Sequence, residues 1–342
     1  MTQNTSIRLA QRPNGLPVAD DWAQVAEPVP EPGANEFVVR ISMISLDPAM
    51  RGWLDDRPSY LPPVGLGEVM RASAVGEIVA SQHRRFPVGA WVEGAFGVQE
   101  FAVSNGRDVT LVDPSLGTPS MYLGLLGSTG LTAYFGLFTH GRPTAGDTVV
   151  VSGAAGAVGS TVGQLARISG CRVIGIAGGP DKCRYVVEEL GFDHAIDYKS
   201  ERVRPALATA CPNGIDVYFD NVGGSILNAA LSTLAMHARV VICGAISQYN
   251  AETPTPGPSN YMNLLVRRAT MTGFLVFDHS AEYRVARQRL AAWKDHGLIT
   301  APETIVAGAV TDFPEALLRL FSGDNLGKLI LDISGTKDGH QS

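Results

Sequence analysis

At 342 residues, 45% hydrophobic and 18% charged, the chain has the length of about two domains and enough apolar material for two cores. A formal charge of −6 and a pI near 5.7, with Lys and Arg scattered, give no basic field for a phosphate backbone, so no nucleic acid partner is expected. Arg84-Arg85 and Arg267-Arg268 are isolated pairs that read as solvated surface.

The first 13 residues lack the apolar core of a signal peptide, so a cytoplasmic protein is expected. To about residue 120 the texture is Pro- and Gly-rich, with strand-like runs at 36–45, 72–81, 90–97 and 99–103, the pattern of a compact all-β module. Residues 114–141 carry no charge, and 121–138 approach the length of a membrane span. Gly124, Gly127, Gly130 and Gly136, with Ser128, Thr129 and Thr132, and flanks without an aromatic or basic belt, argue instead for a buried helix pair at a domain junction. No membrane partner is expected.

In Val149-Val150-Val151-Ser152-Gly153-Ala154-Ala155-Gly156-Ala157-Val158-Gly159 a β-branched run passes straight into glycines and then into a helical pattern. The spacing is G-x-x-G-x-x-G rather than the better-known G-x-G-x-x-G, so the glycines need their context. Gly156 would let the backbone approach a pyrophosphate, Gly159 would let the helix pack closely on the strand, and the helix N-terminus would offer N–H groups and a favourable dipole. From there strands at 147–153, 171–177, 194–197, 215–219 and 239–243 alternate with helices at 157–169, 181–190, 201–210 and 225–234. The strands are apolar throughout, as a parallel sheet covered on both faces requires, and a doubly wound α/β domain is predicted.

An NAD-selective site places Asp or Glu at the end of the second strand, about 20 residues past the glycines. Here that strand ends in Ala177-Gly178-Gly179-Pro180, with Lys182 on the next helical turn, a pattern that suits a 2′-phosphate and hence NADPH. Asp181 is expected to cap that helix and point away. Cys171, Cys183, Cys211 and Cys243 form no C-x-x-C pair and read as buried thiols. The histidines at 83, 140, 194, 237, 279, 296 and 340 lack metal-ligand spacing, so no metal is expected. The tail returns to a strand at 304–306, a helix at 314–321 and a strand at 328–333, so a catalytic domain made from both chain ends is expected around the central nucleotide domain.

Further motifs run in order along the chain: Asp47-Pro48-Ala49-Met50-Arg51-Gly52, Gly65-Leu66-Gly67-Glu68-Val69-Met70, Gly130-Leu131-Thr132-Ala133-Tyr134-Phe135-Gly136, Asp220-Asn221-Val222-Gly223-Gly224, Cys243-Gly244-Ala245-Ile246-Ser247-Gln248-Tyr249-Asn250 and Asn325-Leu326-Gly327-Lys328. With these the chain resembles, over essentially its whole length, the medium-chain dehydrogenase/reductases. Within them it looks like the zinc-independent branch of NADPH-dependent alkenal/one double-bond reductases, which includes the leukotriene B4 dehydrogenase / prostaglandin reductase group and the curcumin reductases. Ser128-Thr129 stands where Met-Pro is usual before Gly130, and Ala49 where an aromatic is common. Both departures bear on pocket shape, as do the loops 52–65 and 250–260.

The resemblance implies a doubly wound parallel Rossmann sheet over 123–302 and a GroES-like mainly-β catalytic domain built from 1–122 and 303–342. Zinc-dependent members of the superfamily place a Cys near position 47 and a Gly-His-Glu near 67; Asp47 and Gly67-Glu68 stand here, which disfavours Lewis-acid chemistry on zinc. Cofactor contacts are expected from Gly153, Ala155, Gly156, Ala157, Val158, Gly159 and Gly178, with Lys182 and Tyr198 on the 2′-phosphate. Asn221, Cys243, Tyr249, Phe274 and Asn325 carry over as cofactor neighbours, with core packing the alternative for Phe274 and Cys243.

The implied reaction is reduction of an α,β-unsaturated ketone or aldehyde, with hydride added at the β-carbon and a hydrogen-bond donor stabilising the enolate. Tyr249, Tyr60 and Arg51 match residues placed at the active site in the family. A packing role is the alternative for Tyr60 and a cofactor contact for Tyr249. Tyr261 is ranked lower, because register puts Val266 at the spot where plant relatives carry a Tyr. A strand at 270–277 matches an edge that pairs with its symmetry mate, which implies a homodimer. The alternatives are a quinone reductase of the same superfamily and a non-catalytic NADPH-binding sensor or scaffold.

Overall fold

The computed structural model describes residues 3–253 and 255–335; His340, Met1–Thr2 and Pro254 of the expected pocket loop lie outside the described residues. The chain opens with a hairpin that the sequence pattern did not mark. β1 (Gln3–Leu9) pairs antiparallel with β2 (Trp22–Pro28), from Gln3 opposite Pro28 to Leu9 opposite Trp22. Then come β3 (Phe37–Leu46), α1 (Ala49–Trp53), β4 (Ala74–Ser81), β5 (Trp91–Gly94), β6 (Phe101–Ser104) and β7 (Thr110–Leu111).

α2 (Ser128–Phe135) precedes the alternating segment: β8 (Thr148–Ser152), α3 (Ala157–Ile168), β9 (Arg172–Ala177), α4 (Pro180–Glu188), β10 (His194–Asp197), α5 (Val203–Ala210), β11 (Ile215–Asp220), α6 (Gly224–Leu231) and β12 (Leu234–Ile242). α7 (Met262–Arg267), β13 (Thr270–Gly273), α8 (Tyr283–Asp295), β14 (Glu303–Ala307), α9 (Phe313–Ser322) and β15 (Lys328–Asp332) complete it.

Two units result. One holds residues 3–123 and 303–335, the other Gly124–Pro302. In the first, seven strands run in the order β14-β15-β3-β4-β5-β7, with β6 also on β3. Its core gathers Phe37, Ile44, Met50, Phe313, Leu317 and Leu331, all buried, from strands and helices of both chain ends. In the second, six parallel strands run β10-β9-β8-β11-β12-β13. The order reverses direction between β8 and β11, and in an open parallel sheet that reversal leaves a crevice outside the carboxyl ends of the strands. The apolar runs are apolar because both faces are covered: Val149, Val150 and Val151 of β8 have no exposed surface.

Three expectations need correction. Residues 121–138 form no helix pair: Pro119–Tyr122 make a single 3₁₀ turn, and α2 runs on through a π-helical turn, Gly136–Gly141, as one helix rich in buried side chains. No helix of the described residues is long and apolar enough to cross a membrane. The strand expected at 270–277 stops at Gly273, and the chain coils into a 3₁₀ turn over Val276–Glu282, where Tyr283 Oη donates to Val276 O at 2.9 Å. The helix expected at 225–234 ends at Leu231, because β12 already begins at Leu234 and passes through His237 in a left-handed conformation, φ 62°, at a break in register.

Candidate active site

β8 delivers the chain to Gly153, φ +62°, and the turn through Ala154 and Ala155 reaches Gly156 at the N-cap of α3. Gly159 is glycine for a steric reason: a Cβ there would lie 2.3 Å from Gly153 O, so any side chain would drive helix and turn apart. Ala155 is buried, whereas Gly153, Gly156, Ala157 and Val158 stay partly accessible at the helix end. α3 spans 12 residues with no acidic side chain in its first turn, so its outward N–H groups and dipole favour an anion.

At the end of β9, Tyr198 lies against Gly178, where a Cβ would come within 2.9 Å of the phenol oxygen; the Tyr198 ring is half exposed. Lys182 sits half-buried on the first turn of α4. The nearby carboxylates are occupied. Asp197 Oδ1 accepts from Gly179 N at 2.7 Å and Lys199 N at 3.0 Å, Oδ2 accepts from Ser200 at 2.9 Å, and these bonds, the Gly179 amide foremost, hold its carboxyl below the usual carboxylate range. Asp181 is not the cap that was expected: Gly179, φ +96°, takes that position, Pro180 follows, and Asp181 pairs with Arg184 on the exposed face. With Pro180 at the first helical position, Asp181 stands two residues past the cap.

Past β11, Asn221 N donates to Ser152 Oγ at 2.9 Å and Asn221 Nδ2 to Ser152 O at 2.7 Å, tying this loop to the end of β8. Cys243 N donates to Asp220 O at 2.9 Å, and burial pushes the Cys243 thiol up to about 12. Tyr249 Oη accepts from Ala245 N at 3.2 Å, folding the ring over its own loop. Phe274 stacks on His140 at 4.9 Å and meets Phe219 edge-on at 6.4 Å, contacts that belong to the packing alternative for this residue. Tyr261 and Val266 are both exposed, at the start and on the body of α7.

In the other unit, Arg51 is buried among acceptors. It is 3% exposed, and Nε donates to Gly15 O at 2.8 Å, Nη1 to Asp55 at 2.6 Å and Nη2 to Pro13 O at 3.3 Å. These bonds fix the 13–15 segment to α1 and occupy all three guanidinium nitrogens. Tyr60 is 47% exposed, with Trp53 Nε1 donating to its hydroxyl at 3.2 Å, and the Arg71 guanidinium lies 5.5 Å over the Trp53 ring. Asn325 Nδ2 donates to Gly327 O at 3.0 Å within the turn before β15.

A zinc ion does not fit the residues at positions 47 and 67–68. Asp47 accepts from Lys328 Nζ at 2.6 Å and from Ser45 Oγ, and Lys328 Nζ also donates to Leu46 O at 2.7 Å. Glu68 closes its own turn by accepting from Gly65 N at 2.9 Å, and Gly67 has no side chain to ligate a metal. Among the described residues no three His, Cys, Asp or Glu side chains gather as a metal would need. The Lys328–Asp47 pair and the Ser152–Asp220 bond, 2.9 Å, are the polar contacts that sequence inspection missed; an Asp ending the apolar run of β11 and a Lys opening that of β15 were the available signals.

Comparison with known protein families matches residues 5–112 to the N-terminal domain of oxidoreductase and residues 157–292 to zinc-binding dehydrogenase. The chain is 45% identical to the Bacillus subtilis protein YfmJ, named as an NADP-dependent oxidoreductase, over 96% of this chain and 97% of that one. It is 39% identical to the NADPH-dependent curcumin reductase of Escherichia coli, over 96% of each chain, and 37% identical to an NADP(+)-dependent 2-alkenal reductase of Nicotiana tabacum, over 90% of this chain and 89% of that one. Among solved structures, CurA of Vibrio vulnificus in complex with NADPH superposes with a TM-score of 0.91 at 41% identity, covering 96% of this chain and 99% of that one. A strand, glycine turn and helix on a doubly wound sheet, a mainly-β unit drawn from both chain ends and similarity over nearly the whole length identify the chain as a medium-chain dehydrogenase/reductase, in the branch that holds the NADP-dependent curcumin and alkenal reductases.

Proposed function

We propose that the protein is an NADPH-dependent reductase of the carbon–carbon double bond in α,β-unsaturated ketones and aldehydes, working without a metal. The observation that carries the cofactor choice is the end of β9: Tyr198 lies on Gly178, Asp197 is occupied by the Gly179 amide and by its own loop, and Lys182 stands on the adjoining helical turn. That corner offers a cation and a phenol and withholds a carboxylate, which suits a ribose 2′-phosphate. The α3 N-terminus, with Gly153, Gly156, Ala157 and Val158, would take the pyrophosphate.

Bound NADPH supplies a hydride. The residues of this chain must then hold the substrate carbonyl, stabilise the enolate oxygen that develops when the β-carbon accepts two electrons, and allow the α-carbon to take a proton. We assign the enolate-stabilising hydrogen bond to a tyrosine hydroxyl, Tyr249 in the nucleotide unit and Tyr60 in the other being the candidates. The Ala245 amide donates to Tyr249 and the Trp53 indole to Tyr60, so each phenol oxygen is held as an acceptor in that contact.

We further propose a homodimer in the cytoplasm. β13 is an edge strand exposed along its whole length, Met271 included, and Leu265 and Val266 beside it are 70% and 61% exposed. All four cysteines are free thiols, the state a reducing compartment maintains. The test is NADPH consumption, followed spectrophotometrically against alkenals, enones and 1,4-quinones and repeated with NADH, beside a solution mass by light scattering. The reading expects turnover of enals and enones with a strong preference for NADPH, at twice the 36.2 kDa chain mass. Activity confined to quinones, NADPH binding without turnover, or a monomeric mass would each count against the matching part.

A further inference from the structure

We propose that Asp220 is a positioning residue of the nucleotide site: it touches no cofactor, and it holds the carboxyl ends of three central strands in the one arrangement that builds the crevice floor. The inference rests on the reading of that crevice as the NADPH site.

Asp220 closes β11 and is 1% exposed. Four donors converge on its Oδ1: Ser152 Oγ and Tyr218 Oη, each at 2.9 Å, and the amides of Gly223 at 3.0 Å and Val222 at 3.1 Å. Its backbone carbonyl accepts from Cys243 N at 2.9 Å and Gly244 N at 3.1 Å. Ser152 ends β8, and its Oγ also accepts the Asn221 amide. One residue therefore bonds to the end of β8, to the loop after its own strand and to the loop after β12.

These ends flank the reversal of strand order, where β8 and β11 lie side by side. From them leave the segments that carry Gly153 and Gly156, Asn221, and Cys243 with Tyr249. Nothing apolar could replace the carboxyl here, because the buried hydroxyls of Ser152 and Tyr218 and two turn amides would all lose an acceptor. Oδ2 is buried without a partner among the described residues.

The test compares Asp220→Asn, Asp220→Ala and Ser152→Ala in the full chain, reading NADPH dissociation constant by fluorescence and melting temperature without nucleotide. Asn keeps an oxygen at the Oδ1 position and is expected to hold NADPH affinity within about threefold, whereas Ala, losing the acceptor of every donor in the knot, is expected to weaken it by about tenfold or more. Ser152→Ala removes the bridge between strand ends with little change of volume and is expected to weaken NADPH by about three- to tenfold, with kcat on a saturating enone changed less than the KM for NADPH. Should Asp220→Ala fail to fold, Ser152→Ala decides alone. Unchanged NADPH affinity in Ser152→Ala, and in Asp220→Ala if it folds, overturns this proposal while leaving NADPH-dependent reduction intact. A wild-type protein that fails to bind NADPH overturns both.

Discussion

Tyr249 and Ala245 are joined across one turn of loop, the Ala245 amide donating to the phenol oxygen at 3.2 Å, so that the ring folds back over Gly244 at the end of β12. The bond fixes the ring through its oxygen. Tyr249→Phe should keep the fold and the NADPH affinity within about threefold and lower kcat for an enone by about a hundredfold, the usual weight of one donor on a developing oxyanion. Steady-state kinetics with a parallel nucleotide titration separates the two. A matching loss of NADPH affinity would make Tyr249 a cofactor contact instead.

Lys182 tests the cofactor choice. Lys182→Ala should raise the KM for NADPH by about tenfold or more while leaving that for NADH nearly unchanged, because only the phosphorylated ribose presents the charge the lysine answers. The ratio of kcat/KM for the two nucleotides is the measurement. An equal fall in both would mean that Lys182 supports α4 rather than the phosphate.

Arg51 should behave as a structural residue. Arg51→Met strips donors from the carbonyls of Pro13 and Gly15 and leaves Asp55 with Arg57 alone, at a cost of about 1–3 kcal/mol for each buried carbonyl left unsatisfied. A large fall in melting temperature is expected, with kcat/KM within about threefold of wild type at temperatures where the variant is folded. A thousandfold loss of activity in a fully folded variant would return Arg51 to the catalytic set.

The doubly wound unit was legible because its signals are local. Apolar runs such as 149–151 announce strands buried on both faces, and each Gly-rich turn sits where a strand hands over to a helix. What could not be read were contacts that depend on distant segments. Arg51 in a Met-Arg-Gly motif looks available until Pro13 and Gly15 are seen to accept its protons from 38 and 36 residues away. Asp181 looks like a helix cap until Pro180 displaces it. The β1–β2 hairpin escaped notice because β2, Trp22–Pro28, alternates weakly and ends in a proline, and its pairing is fixed by a partner strand 12 residues upstream rather than by a tight turn. The candidate tyrosines came from resemblance; composition alone would have left Tyr60 and Tyr249 among nine.

A histidine pair sets a pH dependence of stability. His140 Nε2 and His279 Nε2 lie 3.3 Å apart, and the His279 ring stacks on Phe135 at 4.5 Å. Burial foremost, then His279 and Arg142, hold His140 below the ordinary 6.5, with Asp278 opposing. The unfolded chain therefore binds this proton more tightly than the fold does. The contribution of His140 is intact above about pH 6.5 and is lost as the pH falls below it. Melting temperature should decline from pH 7 to pH 5, and His140→Asn should flatten that decline; an unaltered slope would mean that other groups cause it.

Transfer of deuterium from NADPH labelled at the reactive C4 position to a simple enone tests the central claim most directly, with the product examined by NMR. The account predicts the label on the former β-carbon of a saturated ketone, with the α-carbon taking its hydrogen from solvent. Label on the carbonyl carbon of an allylic alcohol, with the double bond intact, would contradict it.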